Sequence, residues 1–216
     1  MMNIRTFTLM FAGLITAVVT SQTATANTTN FSYSSLSISA ASVSFDDDIV
    51  IARGGFTNQL VSYSSYTGAV LSGSLQLDNN LILGISSTYL SDSKLGTEIE
   101  ESSGQLSLGY ATAISNAADF AVSGSFVSSE AEVCNLSICA SDDETGFGLS
   151  GGFRYWASNN LELNVSVSYV DVGDFGDSTS FGAGGAFWFD DHSSLTLALS
   201  TSSDSTAASI GYRYAF

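Results

Sequence analysis

Hydrophobic and polar residues alternate with a period of two along most of the chain. In LELNVSVSY (161–169), leucine, valine and tyrosine occupy the odd positions, and Glu162, Asn164 and two serines occupy the even ones. The segments LSLGYA, GFGLSGGFRYW, SLTLALS and the C-terminal SIGYRYAF repeat this pattern. Successive side chains of a strand point to opposite faces, so each segment has one apolar and one polar face. With no sustained helical period, the pattern predicts an all-β chain.

Short Asn- and Asp-rich turns alternate with longer, more acidic connections. The tight turns are LDNNL, ISNAADF, ASNNL and FDDHSSL, whose Asn and Asp residues tolerate turn conformations. The longer connections are 46–62, 95–100, 134–143, 173–177 and a short one near Ser203. This alternation predicts an up-and-down antiparallel sheet of ten strands, with eight or twelve as alternatives. The predicted strands are 33–45, 63–77, 81–94, 101–115, 119–133, 144–157, 161–172, 178–189, 194–203 and 205–216.

The first strand departs from the common pattern. Its apolar positions change parity between Ile38 and Val43, across the residues AAS. Such a change indicates either a β-bulge or a misplaced boundary.

Three features favour a membrane barrel over a secreted soluble sandwich, which would also show alternation. The polar faces carry mainly Gly, Ser, Ala and Thr, which suit a narrow lumen, and the charges concentrate in turns and loops. Aromatic residues gather near both ends of the apolar faces, as in the two aromatic girdles of a membrane barrel. They are Tyr89, Phe126, Phe147, Tyr169 and Phe181 at the long-loop end, and Phe120, Tyr155, Phe187, Phe189, Tyr214 and Phe216 at the tight-turn end. Because lipid cannot satisfy backbone groups, we expect the first strand to pair with the last.

The N-terminal sequence predicts a secretory signal peptide. A basic start, MMNIR, precedes an apolar run, FTLMFAGLITAVV, and the small-residue site Ala24-Thr25-Ala26. The apolar run is shorter than the roughly 20 residues that a spanning helix needs. We therefore expect a signal peptide at residues 1–26 and a single barrel domain at residues 27–216.

The net charge excludes one class of partner. Without Arg5, four basic residues face 21 acidic ones, a formal charge of −17. Nucleic acid, whose phosphates would repel such a chain, is not an expected partner.

The last strand, with Tyr212, Tyr214 and a final Phe216, carries a family resemblance. Together with the signal peptide, the alternation and the tight turns, it resembles the small outer-membrane β-barrel proteins of Gram-negative bacteria, the OmpA/OmpX-like porin families. The resemblance implies a bacterial outer-membrane location, contact with lipid and lipopolysaccharide, and recognition of these three aromatic residues by the barrel-assembly machinery. We expect the chain to depart from OmpA in lacking a peptidoglycan-binding domain after the barrel, and its predicted strands exceed the eight of the best-known small members.

Three charged residues fall on lumen-facing positions by parity. Arg154 and Glu162 lie on adjacent predicted strands at similar depth, on either side of the Ser158–Asn160 turn, and Arg213 lies on the last strand. A charge inside a narrow barrel needs a partner. The three residues are therefore predicted to form either a structural ion-pair plug near the periplasmic end or a gate.

Cys134 and Cys139, the only cysteines, lie in a predicted external loop. In an exported protein a close, even pair indicates a disulfide, with a free thiol pair as the alternative. A metal site would need further good ligands, and only acids are nearby.

The acidic loops suggest a second kind of site. Asp46, Asp47 and Asp48, and likewise Asp171, Asp174 and Asp177, are candidates for divalent cations, which prefer carboxylate oxygens. Neither stretch matches an EF-hand loop, and a solvated loop surface is the simpler interpretation. No cofactor is expected.

The single histidine gives little support for an enzyme. Outer-membrane hydrolases need an activating His near a Ser or a carboxylate, at the lipid boundary or the outer face. His192 lies in DDHSS, a turn predicted at the periplasmic end. The sequence therefore predicts a barrel that is not an enzyme.

The function predicted from sequence is that of a narrow porin-like channel for small solutes. Its acidic loops at the mouth would give a mild cation preference. The alternative is a non-conducting structural or adhesion-type barrel whose extracellular loops bind a partner, a surface or lipopolysaccharide. Ten strands lie near the boundary between barrels filled by side chains and barrels with an open lumen, so the sequence is compatible with both functions.

Overall fold

The computed structural model describes residues 31–53, 59–77, 80–135 and 138–216, and its strands close into one antiparallel barrel. The predicted signal peptide lies outside the described residues. The ten described strands are β1 Ser35–Arg53, β2 Gln59–Gln76, β3 Leu81–Lys94, β4 Thr97–Ser115, β5 Ala118–Asn135, β6 Ile138–Ser158, β7 Leu161–Asp171, β8 Asp177–Trp188, β9 Ser193–Thr201 and β10 Ser205–Ala215. Each strand pairs with the next, and β10 pairs with β1, which confirms the predicted architecture.

The β7–β8 connection contains a single 3-10 turn, Gly173–Phe175. Among the described residues, no helix is long and apolar enough to cross a membrane.

The seam between β1 and β10 closes the barrel. It runs without a break from the Ser35–Ala215 pair to the Phe45–Ser205 pair, and the Phe216 amide donates a further hydrogen bond to the Ser34 carbonyl (3.0 Å). Gly211 allows the close approach, since a Cβ there would lie 2.1 Å from the Ser39 hydroxyl oxygen. The C-terminal strand is therefore a structural element of the wall up to its last residue.

The outer and inner faces of the barrel have opposite polarity through its lower part, near the tight turns. Outward side chains there are exposed and apolar, whereas inward positions carry mainly serine, glycine and alanine. Exposed aromatic residues flank this band, and they include Tyr89, Phe126, Phe147 and Phe181 above it and Tyr155, Phe187, Phe189, Tyr214 and Phe216 below it. Such a band with its two girdles is the lipid-facing surface of an outer-membrane barrel, in which the short turns face the periplasm. The chain is a transmembrane β-barrel of this type.

Six strands continue beyond the band on the long-loop side. Strands β1 to β6 extend past the ends of β7 to β10, because β10 stops pairing with β1 at Phe45 and β7 stops pairing with β6 at Phe147. We call this extension the upper sheet. Above the Thr67–Ser91 pair β2 and β3 are no longer paired, so the upper sheet consists of a β1–β2 part and a β3–β6 part. Residues 49–53 of β1 and 138–146 of β6 are its outer edges, each paired on one side only among the described strands. The predicted connections 46–62, 95–100 and 134–143 were thus too long, since most of their described residues lie in strands.

The change of apolar parity in β1 has a different cause from the one predicted. Pairing of β1 is continuous on both sides between Ile38 and Val43, so no bulge lies there. Ile38 faces outwards into the apolar band, whereas Val43 and Phe45 face the interior. The bulge occurs higher, between Ser44 and Ile49, where β10 has ended. The apolar residues move from the outer face to the inner face because the surroundings change from lipid to water.

The interior of the upper sheet is therefore a packed apolar core. This upper cluster is formed by Val43, Phe45, Ile49, Ile51, Val61, Tyr63, Tyr66, Leu90 and Ile99. A smaller side cluster, Val127, Val170, Val172 and Phe175, packs beside it through Ala131. Outward positions at this level include Glu98, Glu100 and Glu130. On β4 and β5 the polarity of the wall has reversed, as water on the outside requires, while Val50, Leu60 and Ile138 on β1, β2 and β6 are exposed apolar residues at the same end.

Two exposed leucines test the position of the lipid band. Leu197 on β9 is 57% exposed between the two girdles, and Leu95 at the β3–β4 hairpin tip is 68% exposed. We expect Leu197→Lys to destabilise the folded barrel in a bilayer by about 2–4 kcal/mol, and Leu95→Lys to change it by less than about 0.5 kcal/mol. Urea unfolding in lipid vesicles measures both. Equal effects of the two substitutions would contradict this placement of the band.

Candidate functional site

A buried charge cluster spans the barrel near its periplasmic end. Arg154 on β6, Glu162 on β7 and Arg213 on β10 all face the lumen and are buried. Arg154 donates from Nε (2.7 Å) and Nη2 (2.5 Å) to Glu162 Oε1, while Arg213 Nη2 donates to Oε2 (2.7 Å). We call these three residues the triad. The structure thus brings together the three lumen charges singled out in the sequence, with one carboxylate shared between two guanidinium groups.

Aromatic and hydroxyl groups fix the geometry of the triad. The indole Nε1 of Trp188 donates to Glu162 Oε2 (3.1 Å), and the Arg213 guanidinium lies 4.7 Å from the centre of the Trp188 ring. Arg213 Nε also donates to the Ser194 hydroxyl (3.3 Å). Charges out of water are tolerated when they are paired and hydrogen-bonded in this way. The triad is therefore a fixed bridge across β6, β7, β8 and β10.

Asp119 adds a second buried carboxylate that the sequence reasoning missed. It is the cross-strand neighbour of Arg154 on β5, and its Oδ2 accepts a hydrogen bond from the Tyr33 hydroxyl (3.4 Å). With two guanidinium groups and two carboxylates, the buried group has no net formal charge. Asp119 could have been predicted as an acid at an inward position beside Arg154. It lies within residues 114–120, however, which the sequence predicts as a tight turn.

The middle of the lumen is lined by serines. Hydroxyl pairs link neighbouring strands, including Ser37 with Ser72 (2.6 Å), Ser123 with Ser150 (2.7 Å) and Ser168 with Ser180 (2.8 Å). A cavity of about 50 Å³ lies above Arg154, bordered by Tyr33, Ser107, Ser123 and Ser150 among others. A polar cavity of this size has room for water. This serine compartment separates the triad from the upper cluster.

Glu101 marks the boundary between the serine compartment and the upper cluster. Its side chain is buried, and among the described residues its Oε2 has no hydrogen-bond partner. The alternating pattern puts the Glu101 side chain on the inner face, but its neighbours Glu98 and Glu100 make the stretch resemble a solvated acidic loop. Parity was the one sequence signal that distinguished Glu101 from Glu98 and Glu100.

The disulfide is present in the structure. Cys134 and Cys139 are cross-strand partners at the ends of β5 and β6, and their sulfur atoms are bonded. Among the described residues, the one group that resembles a metal site is Glu132 with these two cysteines, and both of its sulfur atoms are in the disulfide. The bond therefore joins the two strands at the top of the upper sheet.

The acidic candidates are separate from the triad, and all are exposed except Asp171, which is partly buried. Asp46, Asp47 and Asp48 lie at the bulge in β1, and the Ser62 hydroxyl donates to Asp48 Oδ2. Asp174 lies in the β7–β8 connection, whereas Asp171 at the end of β7 and Asp177 at the start of β8 are cross-strand partners. Cation binding at either group stays a prediction.

His192 lies in the β8–β9 turn at the periplasmic end. Its Nδ1 is 2.9 Å from the Ala215 carbonyl oxygen, and its ring stacks on Tyr214. The neighbouring Asp190 accepts hydrogen bonds from the backbone amides of His192 and Ser193, which lower the pKa of its carboxyl. These contacts tie the turn to the end of β10.

The three aromatic residues of the predicted assembly signal lie on β10 and just after it. Tyr212, Tyr214 and Phe216 all point outwards and are exposed, and Tyr212 donates its hydroxyl hydrogen bond to Ser193 (3.0 Å). Tyr212 and Tyr214 pair with Ile38 and Leu36 across the seam.

Comparison with known proteins finds similar barrels among solved structures. Neisserial surface protein A shares 14% identity over 84% of this chain and 96% of its own, with a TM-score of 0.47. Ail of Yersinia pestis shares 12% over 84% and 99%, with a TM-score of 0.43, and the KdgM porin shares 12% over 83% and 99%, also with a TM-score of 0.43. No family model matches the chain, and no curated protein sequence matches it. The barrel itself is established by this chain's own strand pairing.

Removal of the shared carboxylate tests the energetic role of the triad. Glu162→Ala leaves Arg154 and Arg213 buried without their common partner, so we expect a loss of about 3–5 kcal/mol in the free energy of unfolding. Glu130→Ala, at an exposed position on β5, is the matched control and should cost less than about 0.5 kcal/mol. Urea unfolding followed by far-ultraviolet circular dichroism gives both values. A loss at Glu162 no larger than that at Glu130 would show that the triad does not stabilise the barrel.

Proposed function

We propose that this protein is a non-conducting outer-membrane barrel that acts at the cell surface through its upper sheet. The observation that carries the proposal is the presence of two obstructions in series in the described lumen. The upper cluster fills the interior on the extracellular side, and the triad with its aromatic neighbours fills it on the periplasmic side. A solute would have to displace both.

The upper sheet has the surface of an interaction module. Its outer face carries the carboxylates of Asp48, Glu98 and Glu130, and its β6 edge is exposed along residues 138–143. Unpaired strand edges offer backbone donors and acceptors to another chain. The candidate partners are a positively charged external protein and lipopolysaccharide linked through divalent cations. No enzymatic activity and no cofactor are part of the proposal.

A narrow cation-preferring channel is the second candidate. The serine compartment supports it, because small hydroxyl-bearing side chains leave space and can bind water. The similar solved structures include a porin and an attachment protein, so they do not separate the two candidates.

Conductance in a planar bilayer distinguishes the non-conducting barrel from the channel. We expect no discrete current steps from the folded mature protein, because both obstructions exclude a continuous water path. A variant with both obstructions reduced, Leu90→Ala with Glu162→Ala, serves as the control for insertion and should admit ions if it folds. Regular cation-selective steps from the unmodified protein would overturn the proposal in favour of the channel. Folding of each sample is verified by circular dichroism before the recording.

The aromatic C-terminus is proposed to be the signal for the barrel-assembly machinery. Deletion of Phe216 removes an exposed ring and two hydrogen bonds at the seam, from its amide to the Ser34 carbonyl and from the Ser32 hydroxyl to its own carbonyl. We expect a several-fold fall in folded protein in the outer membrane, measured by heat-dependent mobility on gels. Removal of the similarly exposed ring in Phe189→Ala is the control and should leave the folded amount near normal. Equal yields from the deletion and the control would rule out a special role for the terminal residue.

A further inference from the structure

The residues that precede β1 turn inwards across the periplasmic mouth of the barrel. We call Phe31–Ser34 the strap. It is anchored at the seam, where the Ser34 carbonyl accepts the Phe216 amide (3.0 Å) and the Ser34 hydroxyl accepts the Gln76 amide (3.2 Å). Phe31 and Tyr33 are buried. Phe31 reaches Trp156 on β6, which lies five strands from β1 in either direction, so the strap crosses the whole mouth.

The wall opposite the seam holds the ring of Phe31 on two sides. The ring stacks parallel to the indole of Trp156, with centres 5.1 Å apart and planes at 3°. The Arg154 guanidinium lies 4.8 Å from the centre of the same ring. Stacking and a cation–π contact out of water are among the stronger contacts of a single aromatic side chain. Arg154 and Trp156 thus form a binding site for one aromatic ring.

Tyr33 occupies a second position deeper in the mouth. Its ring packs with Ile82 and Ala111, and its hydroxyl donates to Asp119 (3.4 Å). The Arg154 guanidinium lies 5.5 Å from its ring centre, so both strap aromatics contact the same arginine. Tyr33 also borders the cavity of the serine compartment. The strap therefore separates that compartment from the periplasm.

We propose that the strap is a removable seal on the periplasmic mouth, and that Arg154 and Trp156 are its receptor site. Residues 31–33 precede β1, so their release leaves the β1–β10 ladder from Ser35 to Phe45 intact. Release would open the serine compartment and Arg154 to periplasmic water while the upper cluster stays closed. The proposal deepens the proposed function, because it treats the lumen as closed at the extracellular side.

Quenching of tryptophan fluorescence by acrylamide tests the seal in the folded mature protein. The chain has two tryptophans, Trp156 and Trp188, and their rings are in contact at the mouth (6.0 Å between centres). Phe31→Ser removes the stacked ring and the cation–π contact, so we expect the fraction of molecules with the strap displaced to rise about tenfold and quenching to increase. Phe189→Ser removes an exposed ring at the same end of the barrel but leaves the strap unchanged, so it should behave as the unmodified protein. Phe31→Tyr keeps the ring and should keep quenching low. Equal quenching in Phe31→Ser and Phe189→Ser would overturn the seal.

A second measurement reports the compartment itself. Ser150→Cys places a thiol at the cavity, and its labelling by a small water-soluble thiol reagent should accelerate about tenfold when Phe31→Ser is added. An unchanged labelling rate would overturn the seal even if the tryptophans respond. If Phe31→Ser does not fold, Phe31→Leu, which keeps an apolar side chain but no ring, takes its place in both measurements.

The two proposals fail in different ways. Current steps from the unmodified protein would overturn the non-conducting barrel, whatever the quenching shows. A silent bilayer with quenching that is independent of Phe31 would overturn the strap alone.

Discussion

Backbone hydrogen bonding in lipid is the constraint on which the structure depends. A strand inside a bilayer has no water to satisfy its amides and carbonyls, so every strand must pair on both sides and the sheet must close. The β1–β10 seam meets this requirement up to Phe45, which is where β10 begins. Above that level the requirement ends, and the six remaining strands separate into a β1–β2 part and a β3–β6 part with unpaired edges. Below Phe45 the chain therefore has the complete strand pairing that a bilayer requires, and above it the chain has unpaired strand edges, which water can solvate.

The reversal of wall polarity explains which parts of the fold could be predicted. In the lipid band, apolar positions face outwards and polar positions face the lumen. The period-two pattern therefore predicted the strand number, the seam and the inward position of Arg154, Glu162 and Arg213. Above the band, Val43, Phe45 and Ile49 belong to the inner face, so a prediction that assigns apolar residues to the outside ends the first strand too early. The acidic residues 46–48 reinforced that error, because they lie at the bulge and look like a loop.

The contacts across the lumen could not be predicted for a different reason. Asp119 meets Tyr33, and Phe31 meets Trp156, from elements that are not neighbours in the sheet. Local pattern reports which face a residue occupies, and cross-strand pairing reports its adjacent partners. Neither specifies which side chains meet across a closed interior. The triad could be predicted because Arg154 and Glu162 flank one tight turn, whereas the contacts of Tyr33 with Asp119 and of Phe31 with Trp156 required the closed barrel itself.

The two ends of the lumen are closed by different kinds of interaction, and this difference decides which end can open. The upper cluster is apolar and shared among β1, β2, β3 and β4, so opening it would expose several large side chains to water together. At the periplasmic end, the strap holds one ring against Trp156 and one hydroxyl against Asp119, outside the ladder of the wall. Its release exposes groups that water can solvate, since the charges behind it remain paired through Glu162. Under the proposed function, the barrel is fixed on the extracellular side, and regulated access to its interior comes from the periplasm.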